Sequence, residues 1–240
     1  MSETKVSQEL WNNYEDYYKD GDSEWRRIGA VAKADNIIAL CRDLPLNSIL
    51  EIGAGEGSIL QRLSELNFGK ELFALDISPS GVAAIKNKKI PRLTECSLFD
   101  GVQLPHQNDR FDLVIMSHVV EHLEHPRQLL YEAARVAKFI FIEVPLEDTI
   151  RLPRDFVFNT VGHLNFYTAK TIRQLVQSCG LRVRGEIITN PPKGAYKFQK
   201  GNRGLVNFHI KQALLKIAPA VATEIFTYHG SLLCERENGK

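Results

Sequence analysis

A glycine-rich segment, E-I-G-A-G-E-G at residues 51–57, follows a short apolar run and precedes an amphipathic one. Glycines permit a tight turn and let a ligand approach the backbone. A helix that begins directly after them offers free N–H groups and partial positive charge, which suit a carboxylate or a phosphate. The segment therefore predicts a ligand-binding loop between a strand and a helix.

Two carboxylates follow this loop at useful positions. Asp76 ends the next predicted strand, 23 residues after Gly53 (76 − 53), where a carboxylate can accept hydrogen bonds from both hydroxyls of a ribose. Asp100 stands in D-G-V-Q-L-P at 100–105, before the strand that starts at residue 111. A carboxylate there can bind the exocyclic amine of adenine.

Four of the seven histidines lie where the ligand is expected: His118, His122, His125 and His163. Histidine is the usual general base near neutral pH. His118 directly follows a strand, and His163 precedes a helix that begins at Thr168, so we expect His163 and His118 as the catalytic candidates. A capping or packing role is the alternative for His163. His122, in E-H-L, is more often structural, and His125 reads as a loop residue.

Alternating strands and helices must position these residues. Buried or alternating apolar runs predict strands at 48–52, 72–75, 92–96, 111–116, 139–144, 181–189 and 225–235, the last as a half-exposed edge strand. Helical patterns separate them at 57–66, 79–87, 127–136 and 168–179. Such alternation is typical of βαβ units, which form a parallel sheet with helices on both faces.

The two ends of the chain and two connections are less regular. Helices are predicted at 6–20 and from 23 to about 43, loops at 145–167 and 190–204, and an amphipathic helix at 205–217. The second loop carries Lys193, Lys197, Lys200 and Arg203, which suit an acidic substrate or RNA, although a solvated loop is the favoured interpretation.

Composition narrows the functional class. The 240 residues carry a formal net charge of +1, which gives no global preference for nucleic acid or anionic membranes. No apolar run approaches the ~20 residues of a membrane span, and the start of the chain has no signal-peptide pattern. Four cysteines without a C-x-x-C pair favour reduced thiols in the cytoplasm.

The sequence resembles the class I methyltransferases that depend on S-adenosylmethionine (SAM), in particular those that act on small molecules. The matching motifs are E-I-G-A-G-E-G at 51–57, A-L-D at 74–76, D-G-V-Q-L-P at 100–105, F-D-L-V-I-M-S-H-V-V-E-H-L at 111–123 and H-L-N-F-Y-T at 163–168. The resemblance implies an α/β fold: a Rossmann-like, doubly wound, seven-stranded and mostly parallel sheet, with an antiparallel last strand and an N-terminal helical cap.

The resemblance also implies a single domain over 1–240, with helices at 1–45, a SAM-binding half at 46–145 and a substrate-side half at 146–240 that carries insertions at 145–167 and 190–218. The expected cofactor-binding residues are Glu51, Gly53, Ala54, Gly55, Gly57, Asp76, Ile77, Asp100, Gly101, Ser117 and His118. The expected substrate pocket comprises Tyr14, Tyr18, His122 and Tyr167. No metal site is expected.

Two other motif interpretations are weaker. A dinucleotide-binding G-x-G-x-x-G loop needs its third glycine at position 58, where Ser58 stands, and Glu51 would repel a pyrophosphate. The N-P-P-K segment at 190–193 follows the sixth strand rather than the fourth, so it is a turn and not an N-methyltransferase signature. We expect methyl transfer to an oxygen or nitrogen of a small or medium-sized acceptor. The alternatives are an RNA or protein methyltransferase and a non-enzymatic protein with this fold.

Overall fold

The computed structural model describes residue 18, residues 24–155 and residues 162–237. The predicted helix at 6–20, except for Tyr18, and the candidate Tyr14 lie outside these residues. Seven strands lie in these residues: β1 (Ser48–Ile52), β2 (Glu71–Asp76), β3 (Leu93–Leu98), β4 (Phe111–Ser117), β5 (Ala137–Leu146), β6 (Leu181–Thr189) and β7 (Tyr228–Arg236). They form one sheet in the order β3-β2-β1-β4-β5-β7-β6.

Pairing within the sheet confirms the predicted fold class. The pairs β1–β2, β2–β3, β1–β4 and β4–β5 are parallel, and β7 is antiparallel to both of its neighbours. The helices are α1 (Glu24–Cys41), α2 (Ser58–Glu65), α3 (Pro79–Lys88), α4 (Pro126–Val136), α5 (Ala169–Ser178), α6 (Lys193–Ile217) and α7 (Pro219–Ile225), with a 3-10 turn at Val120–His122.

Two apolar clusters cover the two faces of the sheet. Side chains alternate along each strand, so Leu50 and Ile52 enter one cluster while Ile49, which precedes Leu50, enters the other. The apolar runs of β4 and β5 are buried almost throughout, as expected for central strands of a doubly wound sheet. This packing fixes the strand ends from which the candidate site projects.

Helix starts also follow the sequence signals. The Ser78 hydroxyl accepts a hydrogen bond from the Gly81 N–H at 3.2 Å and caps α3. Thr168 is the N-cap of α5, as expected, and forms a reciprocal capping box with Thr171.

The strand predicted at 225–235 is not an edge strand. It starts at Tyr228 and lies between β5 and β6, so β6 occupies the edge. The central polar residue of the strand is buried with a partner: Ser231 is 1 % exposed and donates to Glu143 Oε2 at 2.8 Å. A buried polar side chain with a partner gives the same sequence pattern as an exposed one.

The predicted loop at 190–204 is mostly helical. Helix α6 begins at Lys193, after Pro192, and a non-helical Gly201 (φ 55°, ψ −140°) divides it. The Tyr196 hydroxyl donates to Asn190 Oδ1 at 2.7 Å and ties the first turns to the end of β6. The glycines and lysines that suggested a loop therefore mark a kink and a solvated helical face.

Candidate active site

The glycine segment lies where the strand order reverses, at the carboxyl end of β1 between β2 and β4. Open α/β sheets bind ligands at such a point. The Gly53 N–H donates to the Leu75 carbonyl oxygen at 2.8 Å, and the Gly55 N–H donates to Asp76 Oδ2 at 2.6 Å. The end of β2 therefore holds the loop that precedes α2.

Gly55 allows no side chain in this loop. Its φ is +57°, and an added Cβ would lie 2.8 Å from the Tyr18 hydroxyl oxygen. Tyr18 thus contacts the glycine loop, with the Arg26 guanidinium 4.9 Å from the centre of its ring. Ala54 is buried in the same loop, and Gly57 directly precedes α2.

The two carboxylates expected to face adenosine lie at neighbouring strand ends. Asp76 is buried, and desolvation raises its pKa although the N–H groups of Ser78 and Gly55 donate to it. Asp100 is exposed, and its Oδ1 accepts the Val102 and Gln103 N–H groups at 2.9 and 2.7 Å. Ile77 follows Asp76, and Gly101 follows Asp100 with φ +81°.

Glu51 is a buried acidic residue of the site. It is 1 % exposed, and its Oε2 has no hydrogen-bond partner among the described residues. Desolvation raises its pKa to about 8, against the lowering effects of Lys33 and the Leu60 N–H, while Asp76 raises it further. A buried carboxyl oxygen without a hydrogen-bond partner favours a cationic ligand. Such a ligand would lower the pKa of Glu51 and keep the carboxylate ionised.

Histidines and glutamates form a continuous cluster beside this loop. His118 follows β4 with φ +58°; its Nδ1 lies 3.2 Å from Glu121 Oε1 and its Nε2 lies 3.4 Å from Glu143 Oε1. Burial and Lys33 lower the pKa of His118, but the two carboxylates outweigh them and the net pKa is raised. Ser117 donates to Glu143 Oε1 at 3.3 Å.

The second candidate base sits on the other side of Glu121. His163 is 6 % exposed, and its Nδ1 lies 2.6 Å from Glu147 Oε2. The Leu164 and Asn165 N–H groups donate to the Glu121 carbonyl oxygen at 2.8 and 2.9 Å, so the His163 segment packs on the 3-10 turn. Burial lowers the pKa of the adjacent His122.

A family model described as "Methyltransferase domain" matches residues 25–186, about two thirds of the chain. The chain belongs to this family. The ubiquinone biosynthesis O-methyltransferase of Candida albicans mitochondria is 27 % identical over 115 residues, which are 45 % of this chain and 35 % of that protein. The match thus spans about a third of the length of that relative.

Solved structures support the same fold. The magnesium protoporphyrin IX methyltransferase of Synechocystis PCC 6803 with bound S-adenosylhomocysteine gives a TM-score of 0.57 at 14 % identity, covering 96 % of this chain and 95 % of that one. Phosphoethanolamine N-methyltransferase 2 of Haemonchus contortus gives 0.62 at 15 % identity, covering 94 % and 60 %. This chain therefore has the Rossmann-like methyltransferase fold, and the methyl donor of its family is SAM.

The methyltransferase site fits this cofactor. SAM carries a sulfonium and an ammonium, and the unpartnered oxygen of buried Glu51 suits a cation. The Asp76 carboxylate suits the ribose hydroxyls, and the side-chain-free Gly55 accommodates the Tyr18 hydroxyl beside the loop. Ser117 and His118, at the end of the adjacent β4, complete the expected set along this edge of the sheet.

Other expected positions of the methyltransferase remain predictions. His122 lies beside His163, with 4.7 Å between the ring centres, and its Nδ1 lies 3.1 Å from the Gly162 carbonyl oxygen. Tyr18 contacts the glycine loop. Tyr167 is buried in the core, which favours a packing role over a place in the acceptor pocket.

The sequence patterns did not identify the glutamates of the cluster as site residues. Glu143 and Glu121 are fully buried, and Glu147 follows β5 directly. A signal was available for Glu143, because it interrupts the apolar run F-I-F-I-E-V, and a charge there needs partners. His229 gave no such signal, because only the position of β7 brings it to Glu143.

Proposed function

We propose that the chain transfers the methyl group of SAM to an oxygen or nitrogen of a small or medium-sized acceptor, with His163 as general base. The observation that carries this proposal is the His163–Glu147 pair: a buried imidazole with one nitrogen 2.6 Å from a carboxylate oxygen. A carboxylate in this position orients a catalytic imidazole and stabilises its protonated form.

In methyl transfer the protein mainly binds and aligns the two reactants. SAM supplies the methyl group on a sulfonium carbon, and the chain must align the acceptor in line with it and exclude water. Because Nδ1 of His163 faces Glu147, the other ring nitrogen is the atom that takes the acceptor's proton. Glu147 then balances the charge of the imidazolium.

The size class of the acceptor rests on two arguments. A net charge of +1 gives no support to RNA as the substrate. The similar proteins are named for ubiquinone biosynthesis, for a porphyrin and for phosphoethanolamine, all of which concern small molecules. No helix among the described residues is long and apolar enough to cross a membrane. The four thiols are unpaired, which supports a cytoplasmic location as part of the proposal.

A matched set of variants tests the base. After an acceptor has been found by screening hydroxylated and amine-bearing metabolites, His163→Ala and Glu147→Gln are compared with His125→Ala, which changes an exposed histidine. We expect His163→Ala to lower kcat by ~10²–10⁴-fold and to leave SAM affinity nearly unchanged. Glu147→Gln keeps the shape but loses the charge, so a smaller fall in kcat is expected.

His125→Ala is the control variant and should keep full turnover. If His163→Ala keeps full turnover and only melts at a lower temperature, His163 packs the loop and the acceptor reacts without a base. Turnover on RNA or protein but on no metabolite would contradict the acceptor class while leaving the family intact.

A further inference from the structure

Three neighbouring strands bring two imidazoles and one carboxylate together beside the glycine loop. His118 follows β4, whose Ser117 pairs with Glu143 of β5, and His229 of β7 pairs with Pro145 of the same strand. The His118 and His229 ring centres are 4.6 Å apart. One potential ligand atom from each of His118, Glu143 and His229 lies within 4.8 Å of the others.

The contacts of His118 leave one ring nitrogen without a matched partner. Both nitrogens face carboxylate oxygens, Nδ1 at 3.2 Å from Glu121 and Nε2 at 3.4 Å from Glu143. A neutral imidazole has one N–H, so the second nitrogen presents a lone pair to an anion. Within the described part of the chain the buried Nε2 makes no hydrogen bond. The gap between Nε2 and Glu143 therefore requires either a proton or a metal ion.

The surroundings of Glu143 direct one oxygen toward that gap. Its Oε2 accepts hydrogen bonds from Asn36 Nδ2 at 2.7 Å and from Ser231 Oγ at 2.8 Å. Its Oε1 faces His118 and lies 3.9 Å from His229 Nδ1. Metal-binding carboxylates and histidines are oriented by outer partners of this kind, and Glu121 plays the same part toward His118 Nδ1.

Charge favours a cation at this position. Two carboxylates, Glu121 and Glu143, face the group against one ammonium, that of Lys33, which lies near both His118 and Glu143. Among the described residues, the carboxylates that face the group therefore outnumber the ammonium groups.

We propose that His118 Nε2, Glu143 Oε1 and His229 Nδ1 form a three-ligand site for a divalent transition-metal ion, with Zn²⁺ as the preferred ion. Two imidazoles and one carboxylate are a ligand set that Zn²⁺ and Fe²⁺ accept. Ligand bonds of about 2.1 Å in a tetrahedron place the ligand atoms ~3.4 Å apart. The His118–Glu143 distance already has this value, and the 3.9 Å distance from His229 Nδ1 to Glu143 Oε1 would shorten by about half an ångström.

A three-ligand zinc site has an open fourth position. The three residues lie near the edge of the sheet where the acceptor is expected, so an acceptor oxygen or water would complete the coordination. The site itself does not depend on the proposed methyl transfer, and its test is a binding measurement that needs no acceptor.

The full-length chain is stripped of metal with a chelator, dialysed, and titrated with Zn²⁺ by calorimetry and with Co²⁺ by visible absorption. We expect one equivalent of either ion to bind, with a cobalt spectrum that lacks a thiolate charge-transfer band. Binding should tighten as the pH rises from 5.5 to 7.5, because protons compete with the ion for the imidazole nitrogens.

Single-residue variants show which side chains bind the metal ion. His229→Ala should weaken Zn²⁺ binding by more than ~100-fold, whereas Asn36→Ala, which removes only an outer partner, should cost ~10–100-fold. The matched control is His209→Ala, an exposed histidine on α6, which should bind like the unchanged chain. His122→Ala should also keep the ion, which separates this site from the neighbouring group of Glu121, His122 and His163.

Three results would overturn the proposal. The first is no stoichiometric binding, which leaves a proton between His118 and Glu143. The second is binding that His229→Ala does not alter, measured on protein whose circular dichroism shows the native fold. The third is loss of binding in His122→Ala with retention in His229→Ala, which would assign the ion to the neighbouring group.

Discussion

Glu51 offers a sharp test of the electrostatics of the cofactor loop. Its carboxyl group is 1 % exposed, and burial raises its pKa from 4.5 to about 8. In the unfolded chain the group ionises near the lower value, whereas in the folded chain without ligand it keeps its proton up to about pH 8. The change we consider is Glu51→Gln, which keeps the shape and cannot ionise.

The sign of the effect follows from proton linkage. Between pH 4.5 and about 8 the folded chain binds one more proton than the unfolded chain at this site, so the free energy of unfolding falls as the pH rises. The stabilisation is fully present below pH 4.5 and is lost by about pH 8. Each pH unit in the window corresponds to about 1.4 kcal/mol, so the loss between pH 5.5 and 7.5 is about 3 kcal/mol.

Urea unfolding of both proteins at several pH values from 5 to 8.5 measures this slope. Because both profiles contain every other titrating group, their difference isolates Glu51, and any fixed cost of burying the amide shifts the variant's curve without changing its slope. Glu65→Gln removes the same charge from an exposed position of α2 and should run parallel to the unchanged chain. Parallel profiles for Glu51→Gln would show that Glu51 ionises in the folded state and would refute the reasoning.

Two further predictions concern cofactor binding, measured by calorimetry with S-adenosylhomocysteine. Asp76→Ala should weaken binding by ~1.5–3 kcal/mol, because hydrogen bonds from the ribose hydroxyls to a charged acceptor are lost; unchanged affinity would remove Asp76 from the site. Gly55→Val should abolish binding while the chain stays folded, because the added side chain enters the space beside the Tyr18 hydroxyl at a φ of +57°. Binding of NAD by the unchanged chain, which we expect to be absent, would contradict the cofactor assignment.

Local patterns were sufficient for much of the fold. The apolar runs of β4 and β5 and the capping residue Thr168 encode their structures within a few neighbouring residues, and the structure confirms them. The place of β7 in the sheet was not encoded locally. Its buried Ser231 gives the pattern of an exposed strand, because its partner Glu143 is 88 residues away in sequence.

The candidate site also contains residues that local sequence patterns predict and residues that only the order of the strands brings together. The glycine loop and Asp76 have a fixed spacing that a sequence displays, whereas the group of His118, Glu143 and His229 exists only because three strands with distant sequence positions lie side by side. Glu147 was missed for a related reason: its pairing with His163 spans a connection whose path the sequence does not define.

The central position of β7 also has a consequence for the order of folding. Strands β1 to β5 form four parallel pairs, of which only β1–β4 joins strands that are not consecutive in the chain. Strand β6, in contrast, is hydrogen-bonded to the sheet through β7 alone, and the contact of Ile140 with Cys234 closes a loop of 94 residues (234 − 140). Contacts of such long range form slowly.

During synthesis the β1–β5 half therefore completes its pairing first and exposes one long edge of β5 until residues 228–236 arrive. In that interval β5 is a template for pairing with other chains, so the polar and charged groups along it, Glu143 among them, are the features that oppose aggregation of the nascent chain.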